Sequence, residues 1–451
     1  MAPFLGKLNG SGVTGKNIGF RKFRLSGAAD TWFLFSSGYY NSSAHFRTNG
    51  NIVASQRNVI FQLNNDGDYI ANTALNVPVN GSNYNSFVFN KTADVGVICA
   101  YNEAYAGDAM KTAYVPLSSS NGSSITIISG PSGDGYSAGA FIDNSGNLYR
   151  SCQSPQSGSS PRDGHFHKIN SSGTTQWSLK FPSVNPHNAN TRNVGQAAVD
   201  SSGNVYLPIY AYSSDVSVGT LAKYNSSGTL QWNYYYGDTK TVPDALFIDS
   251  SNNIYFLIGT GTYGQTPFWL VKIDSSGNIV FQQKYDLSGS SGPYNFGGGR
   301  VRYIDGSGNM YITVSWSTSG NYSRLTVLKI NSSGTVLWAN TFDGGYGWGA
   351  SSFDINTSFP DYYIMSGFYG NVSLGGYGAY IFKGRTDGVI SGGGSFGGNY
   401  TMSNTGLSVT AVSGTISRTS RGVSGTTPES LSSSNGTLST SSSTVTTTYR
   451  L

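Results

Sequence analysis

Hydrophobic residues in the central part of this chain recur in short β-rich runs that polar turns separate. The turns are built from Asp or Asn, Ser and Gly, as in AVDSSGNVY (198–206) and KYNSSGTLQW (223–232). Asp and Asn side chains can bond their own backbone in such turns, and Gly supplies a positive φ without steric cost. Each stretch of this kind therefore predicts a β-hairpin.

Two kinds of turn alternate along the chain, which indicates an internal repeat. The second turn of each unit has its glycine at Gly67, Gly122, Gly173, Gly228, Gly277, Gly334 and Gly388. The first turn can be followed through Gly38, Asp94, Gly146, Gly203, Asn252, Gly308 and Asp361. Two hairpins per unit make four strands, and seven units cover residues 28–393. We therefore expect an all-β fold, a seven-bladed β-propeller of four-stranded blades.

Two arms flank the predicted propeller. The N-terminal arm, residues 1–27, is glycine-rich with a basic stretch at 21–24, and the C-terminal arm, residues 394–451, is rich in Ser, Thr and Gly. The C-terminal arm holds too little apolar surface to offset the entropy of ordering, so its composition predicts disorder in isolation. Residues 401–420 nevertheless alternate enough to form strands if another chain supplies a sheet edge.

Composition and charge narrow the class of protein. Only 11% of the residues are charged, compared with about 25% in average globular proteins. The formal net charge of +5 is spread out, which argues against a nucleic-acid partner. There is no apolar window long enough for a membrane span and no apolar core of signal-peptide length at the N-terminus. We expect a protein made in a cytoplasm without classical export.

An aromatic residue recurs four positions after the second-turn glycine. Trp177, Trp232 and Trp338 occupy this position, and Phe281 takes it in a fourth unit. The simplest interpretation is a structural wedge between neighbouring blades, worth roughly 3–5 kcal/mol by the cost of truncating such a residue.

The residues able to bind metal are few and favour structural roles. His165 and His167, after Asp163, lie on one face of a strand, but the repeat puts apolar residues at the position of His167, so packing is favoured over a metal site. Cys99 and Cys152 lie far apart and are expected to be buried free thiols. The turn aspartates could bind calcium, although plain Asx-turns are favoured. We expect no metal and no cofactor.

The stretch D-S-S-G-N-V-Y, followed by K-Y-N-S-S-G-T-L-Q-W, resembles the SBBP-type β-propeller repeats of bacterial surface proteins and tailed-phage virion proteins. The resemblance covers residues 141–343 well, and 28–140 and 344–393 weakly. Sialidase Asp-boxes are similar, but serine stands where their aspartate belongs. Quinoprotein blades share the spacing from Gly334 to Trp338, but we identify no cluster for a calcium-bound quinone. We therefore expect no enzyme, with a glycan-active enzyme as the exception if carboxylates converge at the channel.

The predicted loops opposite the uniform turns vary in length and are rich in Tyr, Trp, Ser, Gly and Asn. Such residues on a rigid scaffold suit recognition, and aromatic rings beside hydroxyls and amides suit sugars. The alternative is that these aromatics only cover the blade ends. The candidate ligand-binding residues are Tyr210, Tyr212, Tyr263, Tyr294, Phe296, Trp316, Tyr322, Tyr346, Trp348 and Tyr369.

Low charge, a Ser/Gly/Asn/Tyr-rich composition and two extended arms together lead to an expectation of function. The chain is expected to be a non-enzymatic virion structural protein of a tailed bacteriophage, at the tail or tail tip, with the propeller as an interaction or host-receptor-binding head. Its expected partners are other virion proteins, bound through the arms in a symmetric homo-oligomer or larger assembly, and host surface glycan. The alternatives are a secreted or cell-surface carbohydrate-binding propeller and a capsid-decorating protein.

Overall fold

The computed structural model is all-β. It describes residues 20–25, 28–37, 42–56, 59–70, 75–76, 86–100, 111–117, 124–129, 136–153, 164–181, 192–194, 196–212, 217–236, 243, 245–259, 268–288, 295–317, 323–343, 347–356, 361–371, 376–389, 395–396, 400–403, 408–412, 418–420 and 432–437. Most loops opposite the uniform turns lie outside these residues.

Seven antiparallel sheets form the seven blades of a β-propeller. Blade 1 contains β3 (Ser42–Phe46), β4 (Ile52–Gln56), β5 (Val59–Leu63) and β6 (Leu75–Asn76), and blade 2 contains β7 (Ser86–Asn90), β8 (Val95–Ala100), β9 (Lys111–Pro116) and β10 (Ser124–Ser129). Blade 3 contains β11 (Tyr136–Ile142), β12 (Leu148–Gln153), β13 (Gly164–Ile169) and β14 (Thr175–Phe181), and blade 4 contains β15 (Arg192–Val194), β16 (Ala198–Val199), β17 (Val205–Tyr212), β18 (Ser217–Tyr224) and β19 (Leu230–Tyr236).

The remaining three blades follow the same order. Blade 5 contains β20 (Leu246–Ile248), β21 (Ile254–Gly259), β22 (Phe268–Ile273) and β23 (Ile279–Ser288), and blade 6 contains β24 (Asn295–Ile304), β25 (Met310–Ser317), β26 (Ser323–Ile330) and β27 (Val336–Asp343). Blade 7 contains β28 (Gly347–Ile355), β29 (Tyr362–Asn371), β30 (Gly376–Arg385) and β2 (Ala28–Ser37).

Local turn chemistry explains the hairpins. In blade 4, Asp200 Oδ1 accepts hydrogen bonds from the backbone amides of Ser202 (3.0 Å) and Asn204 (2.9 Å), and Gly203 has a φ of 77°. Asp94 and Asn252 adopt the same positive φ without being glycine, and Asp and Asn are among the residues that tolerate it best. The uniform turns therefore lie together at one end of the blades, the turn face.

The register of the first unit differs from the sequence prediction. Gly38 lies outside the described residues, and the first turn of blade 1 has its positive φ at Gly50. The strand before Gly38 is β2, which forms no part of blade 1. It pairs instead with β30, where Phe33 is opposite Phe382 with ring centroids 4.3 Å apart. The N-terminal part of the chain thus completes the last blade and closes the ring.

Both arms contribute additional strands. The N-terminal β1 (Phe20–Leu25) pairs with β2 as a fifth strand of blade 7. Strands of the C-terminal arm pair with the outer strands of blades 6, 5, 4 and 2 in that order; they are β31 (Ser395–Phe396) with β32 (Tyr400–Ser403), β33 (Ser408–Val412), β34 (Arg418–Ser420) and β35 (Ser432–Thr437). The sequence analysis expected such strands if another chain supplied a sheet edge; in this structure the edges belong to the chain's own blades.

The hydrophobic core lies between the faces of adjacent blades. Leu257 and Leu270 of blade 5 pack with Ile312 and Val314 of blade 6, and all four side chains are buried. Because adjacent blades cover both faces of the middle strands, strands such as β21 and β22 are buried over most of their length. The described residues include no helix that could span a membrane.

Candidate functional site

The turn face carries a repeated network of Lys, Tyr and Asp. In blade 4 the Tyr206 hydroxyl donates to Asp200 Oδ2 (3.1 Å), and Lys223 Nζ lies 5.2 Å from the Tyr206 ring centroid. Lys223 Nζ also donates to the backbone oxygen of Ser275 in blade 5 (2.9 Å). The same Tyr–Asp bond and Lys–Tyr contact recur in the sets Asp143, Tyr149 and Lys168 of blade 3 and Asp249, Tyr255 and Lys272 of blade 5.

These aspartates serve as turn residues. Both carboxylate oxygens of Asp249 accept hydrogen bonds, from backbone amides at one oxygen and from Asn253 and Tyr255 at the other. Burial by itself would raise the pKa of Asp249, but these hydrogen bonds outweigh it and lower the pKa below its usual value. A calcium ion would have to displace this set of donors, so the geometry favours the Asx-turn over a metal site.

The recurrent aromatic residues contact the next blade. Trp177 Nε1 donates to Ser226 O (2.8 Å), and the equivalent bonds are Trp232 to Ser275 O (3.2 Å) and Trp338 to Thr386 O (3.1 Å). Phe281 has no such donor; its Cζ lies 3.0 Å from the point that a Cβ on Gly334 would occupy.

One further aromatic escaped the sequence analysis. Trp32 of β2 is fully buried and donates from Nε1 to Asn65 O in blade 1 (3.2 Å). This hydrogen bond joins blade 7 to blade 1, where the ring closes. Sequence spacing could not reveal it, because no turn glycine lies four positions before Trp32 and its strand belongs to the last blade.

Eight of the ten predicted ligand-binding residues lie outside the described residues or are described by their backbone alone. Tyr263, Tyr294, Tyr322 and Tyr346 lie outside the described residues. Four others are described only as strand backbone, namely Tyr210 and Tyr212 in β17, Phe296 in β24 and Trp348 in β28. Their part in ligand binding therefore stays a prediction.

Trp316 and Tyr369 are core residues in the structure. Their exposed fractions are 2% and 4%, and each belongs to a strand, β25 and β29 respectively. Trp316 packs in the core between blades 5 and 6, and Tyr369 packs in the core between blades 6 and 7. The sequence interpretation of these two as exposed loop aromatics was wrong, because their strands extend farther than the turn residues around them indicated.

The two histidines of β13 lie in a polar cluster between blades 2 and 3. His165 and His167 are buried with ring centroids 6.3 Å apart, and His167 Nε2 is 3.5 Å from Cys152 Sγ. The fully buried Arg150 faces the same cluster and donates to Thr112 Oγ1 (2.9 Å). Within the described part of the chain no three His, Cys, Asp or Glu residues are grouped to hold a metal ion.

Near the channel, the described carboxylate of Asp354 already has partners. Its Oδ2 accepts a hydrogen bond from the backbone amide of Phe46 (2.8 Å) and lies 3.2 Å from Lys91 Nζ. This carboxylate joins blades 7, 1 and 2.

His45 lies beside this junction and is half-buried. Its ring centroid is 5.9 Å from that of Phe87 and 6.2 Å from that of Phe89. The Nε2 atom is closed off from solvent, although the residue as a whole keeps some exposed surface. Burial lowers the pKa of His45, Asp354 opposes that effect, and Lys91 adds to it.

This depressed pKa predicts a loss of stability in mild acid. An unfolded histidine has a pKa of about 6.5, so the unfolded state takes up the proton first as the pH falls. The contribution of His45 is complete above that pH and is lost progressively below it. Between about pH 7 and pH 5 we expect the melting temperature of the wild type to fall more than that of His45→Phe. Equal slopes for the two proteins would contradict the assignment.

Comparisons with known proteins found similarity only to solved structures. No protein-family model matches the chain, and no curated protein matches it. The solved structures that resemble it include a protein of unknown function from Dyadobacter fermentans DSM 18053, at 10% identity over 81% of this chain and 98% of that one, with a TM-score of 0.38.

Two further structures are similar to the same degree. A quinonprotein alcohol dehydrogenase-like protein from Bacteroides thetaiotaomicron VPI-5482 is 13% identical over 69% of this chain and 73% of its own, with a TM-score of 0.36. A eukaryotic initiation factor is 8% identical over 72% and 85%, also with a TM-score of 0.36. Similarities this low carry no activity, ligand or partner across to this chain.

Proposed function

We propose that this protein is a non-enzymatic virion structural protein of a tailed bacteriophage, at the tail or its tip, with the propeller as an interaction head. The observation that carries the proposal is the uptake of extended, polar strands by the outer edges of the blades. Five blades carry such a fifth strand, contributed by the N- or C-terminal arm. Assembly through strand addition uses the same main-chain pairing.

The strand edges explain how one chain could join its neighbours. The antiparallel pairing of β23 with β33 places Leu287 opposite Val409, and β27 pairs with β32 in the same way. Such pairing depends chiefly on backbone groups, so the arm of a second copy would satisfy the edge equally well. In this proposal the arms exchange between copies during assembly, and the propeller of each copy remains intact.

The resemblance to SBBP-type repeats of phage and bacterial surface proteins supports this assignment. The loop face, opposite the turn face, would contact the receptor or a neighbouring protein. The turn-face carboxylates are occupied by their own turns, which supports a non-enzymatic role.

Arm exchange can be tested by trapping. We expect co-expressed chains carrying Leu287→Cys and Val409→Cys separately to form a disulfide-linked dimer, because the two positions are strand partners. The native thiols Cys99 and Cys152 are buried and would not interfere. Non-reducing electrophoresis and mass spectrometry would identify the bridge.

The matched control replaces Leu287→Cys with Leu230→Cys. Leu230 is exposed on the outer strand of blade 4 but lies outside the residues that β34 pairs with. This pair should give no specific dimer. A chain that carries both Leu287→Cys and Val409→Cys tests pairing within one copy. If this chain forms the bridge and the separate variants never dimerise, the arms stay on their own propeller and the assembly proposal fails.

That outcome would favour a second candidate, a secreted or cell-surface carbohydrate-binding propeller. The observation in its favour is that the described arm strands all pair with blades of their own chain. A propeller whose arms pair with its own blades needs no neighbouring chain to order them. The aromatic residues of its loops would bind the sugar.

A further inference from the structure

Gln196 lies at the centre of the propeller. Its Cα is 3.0 Å from the point that a Cβ on Gly139 of blade 3 would occupy, and its backbone forms a parallel bridge with Ala245 of blade 5. Its side-chain oxygen accepts a hydrogen bond of 3.0 Å from Arg300 Nη1 of blade 6. One residue of blade 4 therefore touches three other blades, which is possible only where the innermost strands converge on the axis.

Arg300 places a positive charge in this channel. Its guanidinium is partly exposed, and the hydrogen-bond partner that the structure gives it is the neutral amide of Gln196. The five ion pairs formed between described residues do not include it. An arginine fork carries five donors, and a single amide oxygen occupies only one of them.

A second guanidinium is close by on the same strand. Arg302 donates to the backbone oxygens of Ala350 (2.6 Å) and Ser351 (3.3 Å) in blade 7, and from Nε to Thr313 Oγ1 (2.8 Å). These bonds hold Arg302 against the wall between blades 6 and 7. Arg302 therefore joins blades 6 and 7 beside the strand position of Arg300.

The strand that carries both arginines is irregular at two points. The register of β24 shifts between Phe296 and Gly298 and again between Val301 and Tyr303, on either side of Arg300. Gly298 has a φ of 132°, a conformation that favours glycine. Bulges bend a strand and redirect its side chains, and they are enriched beside functional sites.

We propose that the central channel is a binding site for a small oxyanion, a carboxylate or a phosphate, with Arg300 as the principal donor and the Gln196 amide as its neighbour. Arginine matches both groups through paired N–H donors. The proposal goes beyond the proposed function, because the site would exist equally in an assembled or a free propeller.

Isothermal titration calorimetry of the full-length protein with three probes tests the proposal. Sodium glucuronate supplies the carboxylate, inorganic phosphate supplies the phosphate, and glucose is the neutral control. We expect binding of at least one anion and none of glucose, with an affinity that falls as salt is added. Glucuronate alone would identify carboxylate ligands, and phosphate alone would identify phosphate ligands.

The variants Arg300→Gln and Arg300→Lys locate the site. Losing a charged hydrogen-bond donor should weaken binding about tenfold or more in Arg300→Gln, whereas Arg300→Lys should retain part of the affinity. The matched control is Arg385→Gln, an exposed arginine of the turn face that pairs with Asp387, and it should bind as the wild type does. Unchanged affinity in Arg300→Gln, or no anion binding by the wild type, would overturn the proposal. The salt dependence of anion binding is measured on the wild type, so this part of the test does not depend on whether a variant folds.

Discussion

A chain that lacks residues 1–37 is expected to lose the closed ring, because those residues supply the outer strand of blade 7. Trp32 and Phe33 of β2 have exposed fractions of 0% and 1%, and removing a buried aromatic side chain costs about 3–5 kcal/mol. Two such losses approach the whole free energy of unfolding of a typical protein, about 5–15 kcal/mol. Thermal unfolding and size-exclusion chromatography should show a protein that is unfolded or associated at ordinary temperatures.

A shorter truncation provides the control. Removing residues 1–27 deletes β1, which is a fifth strand outside an already complete blade, and keeps β2 in place. We expect this protein to remain a folded propeller with a modest decrease in melting temperature. If the chain lacking residues 1–37 melts like the wild type, then β2 does not close the ring.

Trp316→Ala is expected to lower the free energy of unfolding by about 3–5 kcal/mol. The ring is buried, its Nε1 donates to Thr326 Oγ1 (2.8 Å), and the Arg324 guanidinium lies 4.9 Å from the ring centroid. Truncation removes this packing and leaves a cavity between blades 5 and 6. Chemical denaturation monitored by circular dichroism would measure the loss.

Trp316→Phe separates the packing from the hydrogen bond. Phenylalanine keeps most of the ring contacts and loses the Nε1 donor, so the decrease should be smaller, with about 1 kcal/mol from the lost hydrogen bond. The core assignment would be contradicted if Trp316→Ala had wild-type stability but no longer bound a surface glycan. Trp316 would then be a ligand-binding residue of the loop face.

The sequence predicted the blades because the determinants of a hairpin are local. Asp200 and Gly203 are three residues apart. The side-chain oxygen of Asp200 and the positive φ of Gly203 are enough to form the turn. The spacing of Trp177 and Trp232 likewise follows from the repeat itself. Where the repeat is degenerate, as around Gly38, the local signal was too weak to set the register.

The candidate site was less predictable. Trp316 lies among Ser, Thr and Gly residues that are typical of loops, and only the pairing of β25 with β26 as far as Ser317 opposite Ser323 places it inside a blade. Arg300 and Gln196 are 104 positions apart; Arg300 lies in β24 and Gln196 lies between β15 and β16. No spacing rule brings them together.

The amino-acid sequence by itself determined the all-β class, the repeat and the turn chemistry, because those properties depend on residues a few positions apart. Only the tertiary structure decided how the ring closes, which edges the arms occupy and which side chains meet at the axis. Each of those features pairs segments far apart in the chain, such as β2 with β30 and β35 with β10. Backbone edges are nearly uniform hydrogen-bonding surfaces, so the choice among them depends on the geometry of the whole ring and cannot be deduced from the pattern of any one segment.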